Sequence, residues 1–416
     1  MTSRELDVVL FGATGFVGRL TADHLATAAP PGTRIALAAR SMAGLEQLRA
    51  QLPERAADWE LIEVDAADVE GLRRLAGRTS VLATTAGPYA RFGKGVARAA
   101  AEQGTDYADL TGELLFVRWS IQELTDVALR TGARIVHSCG FDSVPSDLGV
   151  WLAAKQAAAD GQGTLTDTQL VVRKLRGGVS GGTIDSLRQQ MITVEDDPGL
   201  RRVLSDRYAL SPRRGEEPEP ASTRPGRGGR RGAWLRREPG TGHWLGPFVM
   251  AGYNTRVVRL SNTLSDWSYG RDFRYREVSD YGSGPAGLLR AAGTGIALAG
   301  LAAAMSRRPS RALLDRVLPR PGQGPSADRR AAGHYQMEIS ANTTTGARYR
   351  AVVADHRDPG YNGTAVLLGE TALGLAADQA RLADRAGVLT PAVAMGEVLA
   401  ERLRAQGLSI DIRRVG

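Results

Sequence analysis

The chain has 416 residues, of which 43% are hydrophobic and 24% are charged, and its formal net charge is +8. This length suits two or three domains, and the composition is that of an ordinary globular protein. The one cysteine, Cys139, excludes a disulfide framework and a cysteine-rich zinc site, and it favours a reducing, cytoplasmic compartment. No secretory signal is expected, because residues 1–5 are polar and lead directly into an apolar strand.

Strands and helices are predicted to alternate over the first part of the chain. The predicted strands are 6–11, 35–39, 60–64, 80–84, 106–110 and 134–137, and the predicted helices are 15–28, 42–52, 68–76, 93–103 and 117–131. Strands that alternate with helices at this spacing favour a doubly wound parallel sheet. The sequence therefore predicts a Rossmann-type α/β domain over residues 1–150.

The pattern changes after residue 150. Strands are predicted at 170–175, 256–260, 335–341 and 349–354, and helices at 183–194, 364–384 and 391–405. The partly alternating strands favour an antiparallel sheet. We therefore predict a mixed α+β domain over 151–385 for substrate binding or dimerisation, with 386–416 packing back on the first domain.

Two segments of the second part have unusual composition. Residues 211–242 are rich in Pro, Gly, Arg and Glu and predict a loose insertion that builds no core. Residues 286–305 are apolar apart from Arg290 and predict a helix. This helix can pack in the protein and line an apolar pocket, lie at a membrane surface together with 306–308, or span a membrane.

Much of the excess positive charge lies in one stretch. Eleven arginines fall between Arg201 and Arg237. They are not interleaved with a series of aromatic residues, as a base-stacking surface would be, so we expect no nucleic-acid partner. Anionic small ligands or lipid headgroups are the partners that this charge favours.

A glycine-rich turn at the first strand–helix junction predicts a dinucleotide site. Gly12 permits the tight turn, Gly15 lets the backbone approach a pyrophosphate, and Gly18 lets the helix pack closely on the sheet. The helix N-terminus adds amide donors and a favourable dipole. The predicted cofactor-binding residues of this turn are Gly12, Thr14, Gly15, Phe16, Val17 and Gly18.

The end of the second predicted strand selects between the nicotinamide cofactors. An acidic residue there would bind the ribose 2′-hydroxyl of NAD, but the chain has Arg40 and Ser41. The planar fork of Arg40 can pair with a 2′-phosphate, and Ser41 can add a hydroxyl donor. We therefore predict NADP(H). Asp65 is expected near the adenine, and 86–88 (Ala86, Gly87, Pro88) beside the cofactor.

Several blocks of the sequence resemble the saccharopine dehydrogenase-like reductases. The matching blocks are 12–18, 86–89, 107–113, 140–149, 358–361 and 387–392. The blocks 107–113 (YADLTGE) and 140–149 (GFDSVPSDLG) are the specific ones, and they resemble the branch that includes the actinobacterial trans-acting enoyl reductases. The resemblance implies a Rossmann domain, a second mixed domain, a nicotinamide cofactor, and an enoyl thioester presented by a polyketide synthase.

Reduction of an enoyl group needs a hydride, stabilisation of the developing enolate and a proton donor. The candidate catalytic residues are Tyr89, Tyr107 and Ser143. Asp109 and Glu113 can orient a donor, cap a helix or form an ion pair. His137 is a proton donor by residue type, but a structural histidine fits it as well.

Three functions remain open at this point. The first is an NADPH-dependent reductase of a lipid-like or polyketide enoyl substrate. The second is an oxidoreductase of an amino-acid-derived imine, and the third is a non-catalytic nucleotide-binding protein associated with lipid or membrane. No metal site is expected, and no lysine follows a tyrosine at the spacing Tyr-x-x-x-Lys. A homodimer is a further expectation.

Overall fold

A computed structural model describes residues 4–177, 181–197, 199–218, 235–305, 310 and 324–416. In the first part of the chain, strands alternate with helices. The strands are β1 Leu6–Phe11, β2 Ile35–Ala39, β3 Glu60–Glu63, β4 Thr79–Thr84, β5 Asp106–Asp109 and β6 Arg134–Val136. The helices are α1 Phe16–Ala28, α2 Met42–Arg49, α3 Val69–Arg78, α4 Tyr89–Gln103, α5 Leu114–Thr131 and α6 Val144–Ala159.

The second part has longer strands and more irregular connections. Its strands are β7 Leu165–Arg176, β8 Arg236–Arg237, β9 Trp244–Gly246, β10 Arg274–Asp280, β11 His334–Thr343, β12 Arg348–Asp355, β13 Gly387–Leu389 and β14 Ser409–Arg414. Its helices are α7 Gly181–Asp196, α8 Leu200–Ser205, α9 Ala251–Leu264, α10 Gly284–Met305, α11 Ala327–Ala331, α12 Thr364–Ala377, α13 Pro391–Met395 and α14 Glu397–Ala405.

The strands form two seven-stranded sheets. The first is parallel throughout, in the order β13-β6-β5-β4-β1-β2-β3, and confirms the predicted Rossmann-type sheet. Its interior strand β1 is buried on both faces: Val8, Val9 and Leu10 are fully inaccessible to solvent. This explains why β1 is a continuous apolar run and does not alternate.

The second sheet has the order β14-β12-β11-β7-β10-β9-β8. All of its pairings are antiparallel except that of β7 with β10, so the sheet is mixed, as predicted for an α+β domain. Helix α6 packs against this sheet, and a Cβ at Gly149 would lie 2.4 Å from Ile339 Cδ1. That glycine therefore permits the close approach of α6 to β11.

The C-terminal part of the chain contributes to both sheets. Helix α12, which the sequence analysis assigned to the second domain, packs against α1 and β4 of the first sheet. Strand β13 extends that sheet beside β6, whereas β14 pairs with β12 of the second sheet.

Three predicted elements were wrong in type or extent. Residues 256–260 belong to helix α9 and not to a strand, because their apolar residues continue a helical spacing that starts at Tyr253 and includes Val257 and Leu260. The predicted helix 391–405 is interrupted at Gly396, which has φ +49°, and a Cβ there would lie 2.7 Å from the Trp151 ring. The predicted helix 364–384 ends at Ala377.

The two unusual segments differ in how much the structure describes. Of the predicted insertion 211–242, residues 219–234 lie outside the described residues, and β8 on its C-terminal side pairs with β9. The predicted apolar helix is α10. By length and composition it is long enough to cross a membrane. Leu289 is 72% exposed and Ile296 71% exposed, while Met305 at the C-terminal end is buried.

Candidate functional site

A cavity of about 1030 Å³ lies at the carboxyl ends of the strands of the first sheet. Residues that end or follow β1, β2, β4 and β5 line one side of it: Phe11, Ala39, Thr85 and Leu110. Residues of α7, α9 and α10 line the other side. In open α/β sheets ligands bind outside the carboxyl ends of the strands, so this is the expected place for a cofactor.

The glycine turn after β1 forms a cradle in the cavity wall. Gly12 has φ +80°, and a Cβ there would lie 3.0 Å from the Ala86 amide nitrogen. Gly15 is the N-cap of α1, and no side chain caps the helix there. A Cβ at Gly18 would lie 2.3 Å from the Gly12 carbonyl oxygen. The Gly12 and Gly15 amides donate to the Ala38 and Gly12 carbonyls, at 2.8 and 3.0 Å, so the amides of Thr14, Phe16 and Val17 are the ones left open to the cavity, which suits a pyrophosphate.

Other residues predicted for this turn also reach the cavity. Thr14, Phe16 and Val17 line it with Gly12 and Gly15, whereas Gly18 lies beneath it, where it lets α1 approach the turn.

Arg40 is the predicted 2′-phosphate ligand, and it lines the cavity directly after β2. Its side chain is exposed and forms no hydrogen bond or ion pair within the described part of the chain. Ser41 caps α2 by accepting a hydrogen bond of 3.2 Å from the Gly44 amide. Asp65 is exposed and accepts a bond of 2.8 Å from the Ala67 amide. Ser41 and Asp65 do not line the cavity.

Ala86, Gly87 and Pro88, for which a place beside the cofactor is predicted, line the cavity next to Tyr89. The Tyr89 hydroxyl donates to the Thr84 carbonyl at 3.1 Å and accepts from the Leu110 amide at 3.2 Å. Burial raises the pKa of Tyr89 well above its usual value. The geometry therefore makes Tyr89 a bridge between the ends of β4 and β5.

Tyr107 lies in the packed interior and does not line the cavity. It is fully buried, and its hydroxyl donates to Asp109 at 3.0 Å. Asp109 also contacts His137 Nδ1 at 2.7 Å, and His137 Nε2 lies 2.8 Å from Ser120 Oγ. These four side chains satisfy one another between β5, β6 and α5, which is the geometry of a structural network.

Ser143, the third predicted catalytic residue, also lies beneath the cavity wall. Its hydroxyl donates to Asn254 Oδ1 at 3.1 Å, and Asn254 Nδ2 donates to Glu277 at 3.0 Å. Burial raises the pKa of Glu277 to about 7. This network joins α6 to α9 and β10, so Ser143 connects the layers of the protein.

Glu113 holds two elements of the cavity wall together. Its carboxylate accepts hydrogen bonds from the amides of Tyr89 and Ala90, at 2.7 and 2.8 Å, at the start of α4. It also accepts 2.7 Å from the hydroxyl of Ser186 on α7. Burial raises the pKa of Glu113. The carboxylate thus caps α4 and fastens α7, which lines the cavity through Ser186.

Tyr253, which was not predicted as a site residue, lines the cavity from α9. Its hydroxyl lies 2.6 Å from Ser138 Oγ and donates to the Thr111 carbonyl at 3.2 Å. Burial raises the pKa of Tyr253, and the nearby charges of Asp109 and Glu113 add to this effect. The helical spacing over 253–261 was the available signal, but the short window 256–260 was interpreted as a strand.

Part of the cavity lining is apolar. Its lining includes Leu187 of α7, Leu204 of α8, and Leu298, Leu301 and Met305 of α10. One face of α10 therefore contributes to the cavity wall while Leu289 and Ile296 remain exposed. Within the described ranges, no group of three His, Cys, Asp or Glu side chains is arranged to hold a metal ion.

Comparison with known proteins gives consistent matches. Residues 8–138 match the family described as saccharopine dehydrogenase NADP binding domain. Over 100% of this chain and 99% of the relative, the sequence is 51% identical to a Mycobacterium tuberculosis protein provisionally named a trans-acting enoyl reductase. Trans-acting enoyl reductases of Mycobacterium bovis and Mycobacterium ulcerans are 47% and 46% identical, each over 99% of both chains.

A solved structure confirms the fold over almost the whole chain. The apo saccharopine dehydrogenase (L-Glu forming) of Saccharomyces cerevisiae superposes with a TM-score of 0.55 at 14% identity, covering 98% of this chain and 99% of the yeast chain.

Proposed function

Since the chain belongs to the family of trans-acting enoyl reductases, we propose that it reduces the carbon–carbon double bond of an α,β-unsaturated acyl thioester, with NADPH as the hydride donor. The chain is an NADP-binding oxidoreductase of the saccharopine dehydrogenase-like type. One observation carries the proposal: a single cavity of about 1030 Å³ connects the glycine cradle to an apolar wall.

The apolar wall suits the acyl part of such a substrate. Leu298, Leu301 and Met305 offer hydrocarbon surface, and burial of each methylene of an acyl chain is worth about 0.8 kcal/mol. The names of the relatives favour a substrate that a separate polyketide synthase presents. We propose that the thioester end lies toward Tyr253 and the acyl chain toward α10.

The chain's own residues bind the cofactor and supply the proton donor in this proposal. The amides of the turn at Thr14, Phe16 and Val17 hold the pyrophosphate, and Arg40 pairs with the 2′-phosphate. When substrate binds, the single proton of the Tyr253 hydroxyl turns from the Thr111 carbonyl to the substrate, and Ser138 Oγ, 2.6 Å away, keeps the Tyr253 oxygen in place. Tyr253 is protonated at neutral pH and can supply the proton to the strongly basic enolate carbon, although burial, which raises its pKa, makes it a weaker acid than an exposed tyrosine.

The cavity is less suited to an amino-acid-derived imine. Such a substrate carries carboxylates, which call for several cationic side chains at the site. Among the described residues that line the cavity, only Arg40 and Arg256 are basic, and Arg256 is hydrogen-bonded to three carbonyl oxygens. The likeness to the yeast saccharopine enzyme concerns the fold.

The exposed face of α10 favours a second, compatible role at a lipid surface. Leu289 and Ile296 are each more than two-thirds exposed, on a helix whose one charged residue is Arg290. We propose a peripheral contact with anionic membranes through this face. Cosedimentation with anionic vesicles checks it: L289N/I296N, which removes apolar surface without changing the charge, should abolish binding, and equal binding by both forms would refute the contact.

The proposed reaction is tested by following NADPH absorbance with an enoyl thioester, the corresponding saturated thioester and an imino acid. We expect oxidation of NADPH only with the enoyl thioester. Oxidation with the imino acid and none with a panel of enoyl thioesters of increasing chain length would refute the assignment. The L298W/L301W variant should lose activity on long chains while it retains activity on a four-carbon enoyl thioester.

A further inference from the structure

A second cavity of about 440 Å³ lies between α5 and the segment around α8. Three arginines line it: Arg118 of α5, Arg202 of α8, and Arg214. Asp206 is the one acidic residue in this lining. We call this cavity the basic cleft. Part of the unusual run of arginines in the sequence is therefore gathered at one place in the structure.

The basic cleft and the large cavity share a wall. Leu204 lines the large cavity, whereas Arg202 and Val203 line the basic cleft. The guanidinium of Arg256 donates to the carbonyl oxygens of Leu204 and Asp206, at 2.5 and 2.8 Å, and so secures this segment from the side of α9. A ligand that extends from one cavity to the other would have to pass only the short helix α8.

The positive charge of the cleft is only partly neutralised by the protein. Asp206 pairs with Arg214 at 2.9 Å, while Arg118 donates to the Ala209 carbonyl at 3.1 Å. Arg202 is exposed, and its side chain has no hydrogen bond or ion pair within the described ranges. An anion that entered the cleft would therefore find guanidinium groups whose donors are available.

The layer behind the cleft adds further positive charge. Arg259 of α9 donates to the carbonyl oxygens of Thr255 and Tyr275, each at 3.1 Å, so its hydrogen bonds go to neutral groups. Its guanidinium also lies over the Tyr208 ring, 5.7 Å from the ring centroid. Burial lowers the pKa of Arg259 to about 10, which leaves it charged at neutral pH. The field at the cleft thus favours a multiply charged anion.

We propose that the basic cleft binds the phosphate of the phosphopantetheine arm on which the acyl thioester is carried. The proposal rests on the proposed function, since it takes the substrate to be a thioester. Acyl thioesters are carried on phosphopantetheine either in coenzyme A or on a carrier protein, and in both the phosphate lies at the end of the arm remote from the thioester. Arginine forks bind phosphate with paired, charge-assisted hydrogen bonds.

The test compares three thioesters of the same enoyl acid: one on a carrier protein, one on coenzyme A and one on N-acetylcysteamine, which lacks the phosphate. In the full-length chain, R202E should raise KM at least about tenfold for both phosphate-bearing substrates. Tenfold is the smallest effect on KM that we expect from the loss of one charge-assisted contact. It should leave KM for the N-acetylcysteamine thioester unchanged. The control is R130E, because Arg130 is an exposed arginine on the same helix as Arg118, far along it.

Other outcomes would overturn the assignment. Equal changes for all three thioesters, or for none, would show that the cleft does not bind the phosphate. A change confined to the carrier protein would indicate an acidic protein surface, and one confined to coenzyme A would indicate its nucleotide phosphates. Either would replace the arm phosphate as the ligand.

A binding measurement separates this proposal from the proposed function. By titration calorimetry, pantetheine 4′-phosphate should bind the unmodified chain more tightly than pantetheine, and R202E should remove the difference. If no thioester is reduced but this difference is present, the proposed reaction fails and the cleft stands. If thioesters are reduced and the difference is absent, the cleft assignment fails and the reaction stands.

Discussion

Replacement of Arg40 by aspartate tests how the protein distinguishes NADPH from NADH. Arg40 lines the cavity after β2 and has no partner within the described residues, so its donors are free for a ligand. A paired, charge-assisted contact with a phosphate is worth about 1.5–3 kcal/mol, which corresponds to about 10- to 150-fold in Kd. Because the side chain is exposed, salt screening favours the lower part of this range.

The assay is a fluorescence titration of NADPH and NADH against the unmodified chain, R40D and the control R130D. We expect Kd for NADPH to rise by at least about tenfold in R40D, and Kd for NADH to stay within the scatter of the control. The NADPH effect should shrink as salt is added. Equal losses for both cofactors would refute the reasoning, since they would show that Arg40 acts on the fold of the site and not on the 2′-phosphate.

Three further substitutions test the site and its supports. G18A places a Cβ 2.3 Å from the Gly12 carbonyl oxygen and should lower the free energy of unfolding, measured in urea, by about 1–3 kcal/mol. The control G293A has open space around the new methyl group and should not lower it. Similar losses in both variants would contradict the packing argument. Y253F should lower kcat about 100-fold with Kd for NADPH unchanged, whereas an unchanged kcat would exclude Tyr253 as the proton donor. The pKa of Glu277 rises from 4.5 to about 7 on folding, so its carboxyl favours the folded state while protonated and loses up to about 3 kcal/mol as pH rises through this range. E277Q should therefore flatten the fall in stability between pH 5 and pH 8, and parallel curves for both forms would refute this origin of the pH dependence.

The first sheet and its glycine turn could be predicted because their signals are local. The apolar run of β1 reports burial on both faces, and the spacing of Gly12, Gly15 and Gly18 reports a positive φ and close backbone approach. Both properties depend on residues within one strand–turn–helix unit. Arg40 belongs to the same class, since the end of the second strand is adjacent to that turn in this fold.

The roles of the candidate catalytic residues could not be predicted from local sequence signals. Tyr89, Tyr107 and Ser143 follow or lie in strands that point toward the site, but which hydroxyls reach the cavity depends on the partners around them. Tyr107 is fully buried against Asp109, and Ser143 is occupied by Asn254, a residue more than 100 positions away in the sequence. Residue type and position along a strand do not predict these hydrogen-bond partners.

The sequence by itself determined the Rossmann-type sheet, the cofactor turn and the family, because each is encoded in contiguous residues. Only the tertiary structure decided that α12 packs against the first sheet while β14 pairs with the second, that Tyr253 of α9 reaches the cavity, and that α10 lines its apolar wall. It also gathered Arg118, Arg202 and Arg214 around one cleft. These features arise from packing between segments that are distant in the chain. The burial and the electrostatic surroundings of such residues depend on neighbours in the folded structure and not on neighbours in the sequence.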